Sequence, residues 1–408
     1  MGHVHRFVRA IRRARPFRRQ AASARGRRIA IGRLFEVEGR DRLLGMEGMR
    51  GAGVVLVFLQ HYCRQFQVAG HLDGPTALFA EAFRDYGNRG VELFFVLSGF
   101  LIYGILLRKR PRFFDFMRRR AQRLYPAFLV AVAIGCLADH FRAQPDIPTG
   151  FMAAARYILE NLLFLPGLFP IKPVSAVNWS LSYIWWLYVC STILFATLGL
   201  GRAPAKFRVA LIAAMAALLV GLSALQVPNV PVRGLSLLAG MMLAESERAH
   251  IAPVNGWLAA AAVVAAFAIA VSEAFPEWFV SIAVAGSFYA LCSHAFFGTG
   301  RIASVLCAKP IRRLGNMSYS FCLVHGFGVV AVLSLLLHEV NPGAQNALFW
   351  WGMAPLFLVG AGSGAALFLA VERPLSLNVP VSATVSATAA TILQREATTL
   401  PTEAGTTP

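Results

Sequence analysis

The sequence predicts an all-α integral membrane protein that crosses the bilayer about ten times. Of its 408 residues, 57% are hydrophobic and only 14% are charged, and apolar runs recur along most of the chain. A soluble domain is typically about 25% charged. Runs such as 209–220 and 257–271 hold no charged residue. Helices around the core of a soluble protein need a charged face toward water, so these runs argue against a large soluble protein.

Ten apolar segments are candidates for membrane spans. They are predicted at 50–66, 90–107, 124–140, 177–199, 208–226, 232–244, 256–273, 277–298, 317–338 and 346–371. The folded part is expected to comprise residues 43–374. A basic tail, 1–42, precedes it, and a disordered low-complexity tail, 375–408, follows it. The connection 141–176 is apolar and aromatic, so it is expected to lie on the bilayer surface or to enter a cavity.

The loops between these segments alternate in charge. Most Lys and Arg lie in the N-terminal tail and in the loops 108–123, 201–208, 245–250 and 299–313, of which 245–250 is the least basic. Few basic residues and several acids lie in the loops 67–89, 227–231, 272–276 and 339–345. Because basic loops are typically cytoplasmic, ten spans place both termini in the cytoplasm, most simply at a bacterial inner (plasma) membrane.

The net charge of +19 raises the question of nucleic-acid binding. However, thirteen arginines lie in the first 42 residues, and eight Lys or Arg lie between Arg108 and Arg123. Basic blocks beside spans attract anionic lipid, so membrane lipids are expected partners and nucleic acid is not. The first 42 residues lack the apolar segment of a secretory signal. A basic tail before a cytoplasmic first span is favoured over a mitochondrial transit peptide.

Ionisable residues inside spans are expensive and are therefore functional candidates. The first span carries Arg50 near its cytoplasmic end and His61 deeper inside, eleven residues apart. That spacing brings both onto one helical face, about 16 Å apart, so that both are expected to line one cavity. An uncharged imidazole can take a proton from a hydroxyl as a general base. The alternative is that His61 only bonds a neighbouring helix.

Glu92 opens the second span and is a second catalytic candidate. A carboxylate near a helix N-terminus is also stabilised by the helix dipole, so a purely structural role remains open. Arg119 and Arg123 lie at i,i+4 before the third span. Their guanidinium groups suit the phosphates of a nucleotide or coenzyme A, or equally those of lipids.

The fourth and ninth spans contain polar residues that are candidates for a substrate cavity. These are Ser180 and Ser182 in the fourth span, and Tyr319 and His325 in the ninth. Such residues also form interhelical hydrogen bonds with no further role. Neither a G-x-S-x-G nor an H-E-x-x-H pattern occurs, and the six cysteines lack metal-ligand spacing, so no metal site is predicted.

Four motifs in order resemble the membrane-bound acyltransferase type 3 family over about residues 43–374. They are Gly45-Met46-Glu47-Gly48-Met49-Arg50-Gly51 with His61, the run Gly90 to Phe100, Arg119 and Arg123 before Leu124-Tyr125-Pro126, and Leu314-Gly315 with Ser318-Tyr319-Ser320, His325 and Glu372-Arg373-Pro374. The family's fourth-span motif is matched at Trp179 to Ser182 and at Tyr188. Its Glu position, however, is Ile184 here, and its Phe position is Leu187.

The resemblance implies transfer of an acyl group, by default acetyl, from acyl-CoA to a hydroxyl of a cell-envelope or exported glycan or glycolipid. Acyl-CoA would be a co-substrate, with no tightly bound cofactor. By match, His61 is the essential base, and Arg50, Arg119 and Arg123 bind acyl-CoA. Two alternatives remain open: a proton-coupled transporter or flippase of a lipid-linked sugar, and a family member whose activity Ile184 has weakened.

Overall fold

The computed structural model describes residues 35–36, 43–141, 145–175 and 177–377. The predicted tails lie outside the described residues, apart from residues 35–36 of the first and 375–377 of the second. Within the described ranges the regular structure is helical. Fourteen α-helices follow one another: α1 Leu44–Ala69, α2 Gly74–Asn88, α3 Gly90–Lys109, α4 Phe113–His140, α5 Phe151–Leu162, α6 Asn178–Thr197, α7 Ala205–Ala224, α8 Leu235–Arg248, α9 Gly256–Val271, α10 Glu277–Phe297, α11 Arg301–Leu306, α12 Lys309–Asn316, α13 Ser318–Glu339 and α14 Gln345–Leu367.

Seven helical stretches among the described residues are long and apolar enough to cross a membrane. They are Gly74–Lys109, Phe113–His140, Asn178–Thr197, Ala205–Ala224, Glu277–Phe297, Ser318–Glu339 and Pro342–Leu377. The other three predicted spans fall on α1, which carries several charged residues, and on α8 and α9, which have only 14 and 16 residues. Each of the ten predicted segments is thus helical, and the predicted polytopic all-α fold is confirmed.

Four helices occupy regions that were predicted as loops: α2, α5, α11 and α12. These helices are short or only partly apolar, so they lack the long hydrophobic run by which spans are recognised. The helix α2 packs along α1, and α12 packs across the beginning of α1. Both therefore help to position the first span.

The helices α1 and α3 run antiparallel, because Gly53 lies against Phe94, whereas Gly90, where α3 begins, lies against Leu56, which is further along α1. We call the side of the bundle with Leu44 and Lys109 the basic side. We call the opposite side, where α1 ends and α3 begins, the far side.

The crossing of α1 with α11 and α12 brings the backbones into direct contact. A Cβ added at Gly48 would lie 1.8 Å from the carbonyl oxygen of Leu306, and one added at Gly315 would lie 1.8 Å from that of Glu47. Nothing larger than glycine fits at either position. Arg312 of α12 also pairs with the Glu47 carboxylate, at 2.9 Å between Nε and Oε2.

A π-helical segment, Phe368–Leu377, continues α14 on the basic side. Wide helical turns of this kind often occur at functional sites. The segment packs against α4 and places the side chain of Glu372 in the interior, fully buried.

Candidate active site

A cavity of about 930 Å³ opens among α1, α6 and α13 in the far half of the bundle. Residues 172–175 of the connection 141–176, which was expected on the bilayer surface or in a cavity, form one of its walls. The charged and histidine side chains that line it are those of His61, Arg64, Asp146, Lys172, Arg233 and His325. Trp179 and Tyr183 of α6 add aromatic surface. The cavity is therefore large enough for a small polar substrate and lined on several sides by hydrogen-bonding groups.

Two histidines from different helices meet in this cavity. The ring centroids of His61 on α1 and His325 on α13 are 5.0 Å apart, with the rings at 68° to each other. His325 also stacks on Phe321 one turn earlier, at 4.6 Å between centroids and 14° between planes. This stacking holds the His325 ring in one orientation relative to His61.

The hydrogen bond made by His325 determines which of its nitrogens carries hydrogen. Its Nδ1 lies 2.8 Å from the carbonyl oxygen of Phe321. A carbonyl can only accept, so Nδ1 donates, and in the uncharged ring Nε2 then carries the lone pair. Nε2 is buried and has no hydrogen-bond partner among the described residues. An unpaired buried acceptor costs roughly 1–3 kcal/mol, so Nε2 is a position at which a bound molecule gains by donating.

Arg50 does not reach this cavity, although it shares a helix with His61. It lies in a second cluster nearer the basic side, where it interacts electrostatically with Arg123, Tyr188 and Glu372. The predicted common cavity for Arg50 and His61 is therefore replaced by two sites along one helix.

Glu372 organises the second cluster. Its Oε2 accepts hydrogen bonds from the backbone N–H of Ser320 at 3.2 Å and from the Ser320 hydroxyl at 2.5 Å. Its Oε1 lies 2.8 Å from Nη1 of Arg123, a charge contact whose angles are not those of a hydrogen bond. The Arg123 guanidinium is thus held in place while retaining the capacity to donate elsewhere.

The structure directs Arg120, rather than Arg119, toward this cluster. The Arg120 guanidinium lies over the rings of Phe116 and Tyr188, 5.0 and 5.6 Å from their centroids, whereas Arg119 is exposed. The Nε of Arg120 is buried without a hydrogen-bond partner among the described residues. Arg119 lies four residues before Arg123, and Arg120 lies three residues before it. Either spacing places two side chains on one helical face, so the sequence alone could not show that Arg120 is the one beside Arg123.

Glu92 lies in an ion-pair network at the far end of α3 and is not part of the cavity wall. Its Oε1 accepts from Nη1 of Arg89 at 3.0 Å, and its Oε2 accepts from the Ser236 hydroxyl at 3.1 Å. Arg89 in turn makes two hydrogen bonds to Glu277, at 2.7 and 2.6 Å. The network joins α3 to α8 and α10.

Arg233 connects this network to the cavity and was not singled out from the sequence. It lines the cavity, its Nε is 3.7 Å from Glu92 Oε1, and its guanidinium lies 5.6 Å from the ring centroid of Trp179. It lies in a 3₁₀ turn, Val232–Gly234, just before α8. The predicted span 232–244 includes it, so its charge inside a span was the sequence signal that could have singled it out.

The remaining candidate residues differ in placement. Ser180 lines the cavity and donates to the carbonyl of Val177 at 2.8 Å. Ser182 is fully buried and donates to Asn178 of its own helix, at 3.1 Å. Tyr319 donates to the carbonyl of Leu124 at 2.7 Å and so ties α13 to α4.

Ile184 packs among apolar and aromatic side chains and does not line the cavity. Its neighbours include the cluster of Phe116 and Tyr188. No group of three or more His, Cys, Asp or Glu side chains in the described part of the chain is arranged to hold a metal ion.

Comparison with known proteins decides the family. The profile of acyltransferase type 3, described as an acyltransferase domain, matches residues 43–372, which contain every α-helix named above. The chain belongs to the acyltransferase type 3 family. The resemblance predicted from the sequence motifs is thereby confirmed.

Parts of the chain are also similar to two curated proteins. The chain is 31% identical over 104 residues to the exopolysaccharide production protein ExoZ of Rhizobium meliloti (strain 1021), covering 24% of this chain and 31% of ExoZ. It is 28% identical over 145 residues to the acyltransferase MdmB of Streptomyces mycarofaciens, covering 35% of this chain and 36% of MdmB. The chain therefore aligns with only about a third of each relative's length. No solved structure matches it.

Proposed function

We propose that this family member is an O-acyltransferase that moves an acyl group, by default acetyl, from acyl-CoA to a hydroxyl of a cell-envelope or exported glycan. The observation that carries the proposal is the far-side cavity in which His61 and His325 meet. The second cluster, which we call the arginine cluster, lies nearer the basic side of the bundle and contains Arg50 and Arg123. One site suits a sugar hydroxyl, and the other suits phosphate.

The arginine cluster supports a coenzyme A donor. Arg120 and Arg123 face Tyr188 and Glu372 with donors still free, and Arg50 lies beside them. Guanidinium groups bind phosphate oxygens through paired hydrogen bonds. Since the basic side is the cytoplasmic side by the charge rule, the cluster would face the compartment that contains acyl-CoA. The proposed location is the plasma membrane of a bacterium.

The far-side cavity supports a carbohydrate acceptor. Trp179 and Tyr183 offer apolar ring surface, while Arg233 and the histidines offer polar groups at its edges. Sugars combine apolar faces with hydroxyl groups, so this mixture suits them. The name of ExoZ, an exopolysaccharide production protein, points in the same direction.

The proposed reaction is a direct transfer, without an acyl-enzyme intermediate. His61 accepts the proton of the acceptor hydroxyl, and the oxygen attacks the thioester carbonyl carbon. The carbon–sulfur bond then breaks, and the CoA thiolate leaves and takes up the proton from His61. With CoA held at the arginines and the acceptor in the far-side cavity, bringing the thioester to His61 would place the two reacting groups together, which supplies much of the rate.

The test uses membranes that contain the full-length protein and labelled acetyl-CoA, with label measured in the host's lipid-linked and exported glycans. His61→Ala is expected to lower transfer by roughly 10²- to 10⁴-fold, the usual contribution of a general base. His71→Ala is the matched control, because His71 is exposed just beyond α1 and does not line the cavity. It should retain full activity.

The same membranes distinguish the enzyme from a transporter. If the wild type labels no glycan, yet vesicles that contain it move a lipid-linked sugar from one leaflet to the other, the acyltransferase proposal is refuted. Label that appears equally with wild type and with His61→Ala would refute the role of His61 alone.

A further inference from the structure

We propose that the acceptor binds through two adjacent hydroxyl groups, one beside His61 and its neighbour donating a hydrogen bond to Nε2 of His325. This inference rests on the function proposed above and deepens it. It narrows the acceptor class to compounds with a vicinal diol at the acylated position, as in most pyranose rings.

The first step of the argument is that His325 can only accept at Nε2. Its Nδ1 is committed to the Phe321 carbonyl at 2.8 Å, and the ring is held flat against the Phe321 side chain. A rotation that exchanged the nitrogens would break the hydrogen bond. Nε2 is therefore an acceptor with a defined direction.

The second step is that no group of the described chain satisfies this acceptor. Nε2 is fully buried without a hydrogen-bond partner, while His325 belongs to the wall of the cavity. His61 lies close by, yet no hydrogen bond joins the two rings in the described structure. Buried acceptors are almost always paired, so a donor brought by the substrate is the natural partner.

The third step is the spacing of the two imidazoles. Their ring centroids are 5.0 Å apart, with the rings steeply inclined. The two rings come from different helices and line the same cavity. They are in edge contact, so nothing fits between them, but two neighbouring hydroxyls of a molecule in the cavity are close enough together to meet both rings, one for each.

The charged side chains of the cavity do not compete for this role. Lys172 pairs with Asp146 at 3.0 Å, at the exposed end of the cavity. Arg64 and Arg233 are cations and can only donate. Gln60, Asn88 and Ser180 also line the cavity and can accept, so Nε2 of His325 is distinguished by being buried without a partner rather than by being the sole acceptor among the described residues.

Three substitutions separate the functions of the two nitrogens of His325. His325→Asn places an amide N–H at the Nδ1 position and so retains the donor to Phe321, but it has no acceptor at the Nε2 position. His325→Gln places a carbonyl oxygen near Nε2 and loses the bond to Phe321. His325→Phe loses both groups and reports the cost of removing the whole polar ring.

We expect His325→Asn to raise the apparent KM for the glycan acceptor roughly 10- to 100-fold, since an acceptor hydroxyl loses its partner. The KM for acetyl-CoA should not change. His325→Gln should recover a large part of the acceptor KM, and His325→Phe should resemble His325→Asn. Thermal unfolding of each purified variant verifies that it is folded.

Two kinetic results would overturn the proposal. If His325→Asn is as active as wild type while His325→Gln is not, the Phe321 bond alone matters and the role is structural. If both variants lose kcat as His61→Ala does, with the acceptor KM unchanged, His325 takes part in proton transfer instead of binding.

Mapping the product of the wild type provides a second test. NMR of the labelled host glycan should place the acyl group on an oxygen whose neighbouring carbon carries a free hydroxyl. Acylation at a position without such a neighbour would overturn the diol inference, whereas absence of any labelled glycan would instead refute the proposed function.

Discussion

Glu92 and His325 are both buried inside the bundle, but their surroundings differ. Both Glu92 oxygens accept hydrogen bonds, from Arg89 and Ser236, and the residue is absent from the cavity wall. His325 has one nitrogen bonded to its own helix and the other unpaired at a cavity. The first group is complete without a ligand, and the second is not.

The difference shows how a buried polar group can be assigned before any ligand is known. A fully paired group inside a membrane protein contributes to packing and orientation. Its removal leaves its buried partners without a hydrogen bond or an opposite charge. An unpaired group with access to a cavity carries a free-energy cost that a substrate can relieve. Pairing is therefore more informative here than burial alone.

The largest expected effect is on stability, from Glu92→Ala. The substitution leaves Arg89 and Ser236 without one of their partners, which should lower the free energy of unfolding by about 3–5 kcal/mol. Chemical unfolding of the purified protein in detergent measures this. Glu81→Ala, at an exposed site on α2, is the matched control and should change it by less than about 0.5 kcal/mol.

Turnover by the remaining folded Glu92→Ala protein tests the comparison directly. If Glu92 is structural, kcat per folded molecule should stay close to the wild-type value. A stable Glu92→Ala protein without activity would instead restore Glu92 as a catalytic group, as its position in the sequence first indicated.

A smaller effect is expected in the arginine cluster, where Arg120 resembles His325 in having an unpaired buried nitrogen. Arg120→Ala should raise the KM for acetyl-CoA roughly 10- to 100-fold, since hydrogen bonds between charged groups are worth about 1.5–3 kcal/mol. Arg119→Ala removes the same charge from an exposed site and should change the KM little. Steady-state kinetics measures the KM for acetyl-CoA of both variants. If the two substitutions raised this KM equally, only the loss of positive charge would matter, and not the position of Arg120.

The smallest expected effect is on stability, from a substitution of Glu36, whose carboxylate is paired at the surface. Its carboxylate accepts from Arg313 at 3.0 Å, and this hydrogen bond lowers the pKa of Glu36 below its usual value. Because the pKa of Glu36 is lowered in the folded state, its ionised carboxylate stabilises the folded protein near neutral pH. This stabilisation is lost as the pH falls through that lowered pKa.

Glu36→Gln should therefore reduce stability by at most about 1 kcal/mol at pH 7, the usual limit for an exposed ion pair. The difference from wild type should disappear under acidic conditions. Thermal midpoints of both proteins across a pH series measure it. In an Arg313→Gln background the substitution should have a clearly smaller effect, since only the weaker attraction of Lys309 and Arg312 then remains, and an undiminished difference there would disprove the pairing.

The sequence was sufficient for most of the fold, because apolar length and loop charge are read directly from it. All ten predicted segments are helical. It did not reveal α2, α5, α11 and α12, whose short or mixed sequences lack a span signal. The tertiary contacts that order them lie far away in the chain, as between Glu47 and Arg312.

The candidate site was predicted in part. The position of His325 in the ninth predicted span did not reveal that it meets His61, since that meeting depends on how α1 and α13 pack. Arg233 and Arg120 were missed for the same reason: their importance comes from Trp179 and Tyr188, which are distant in sequence. The roles of all these residues remain predictions.

The glycine contacts at Gly48 and Gly315 have a consequence for how such a transfer can proceed. Because backbone touches backbone there, α1 has little freedom to slide or turn against α11 and α12. Arg50 and His61 are then held at constant depths in the bilayer. Under the proposed function, the acyl end of the donor would have to reach along a stationary helix from the arginines toward His61, and the protein would serve as a fixed passage rather than as a carrier whose halves move.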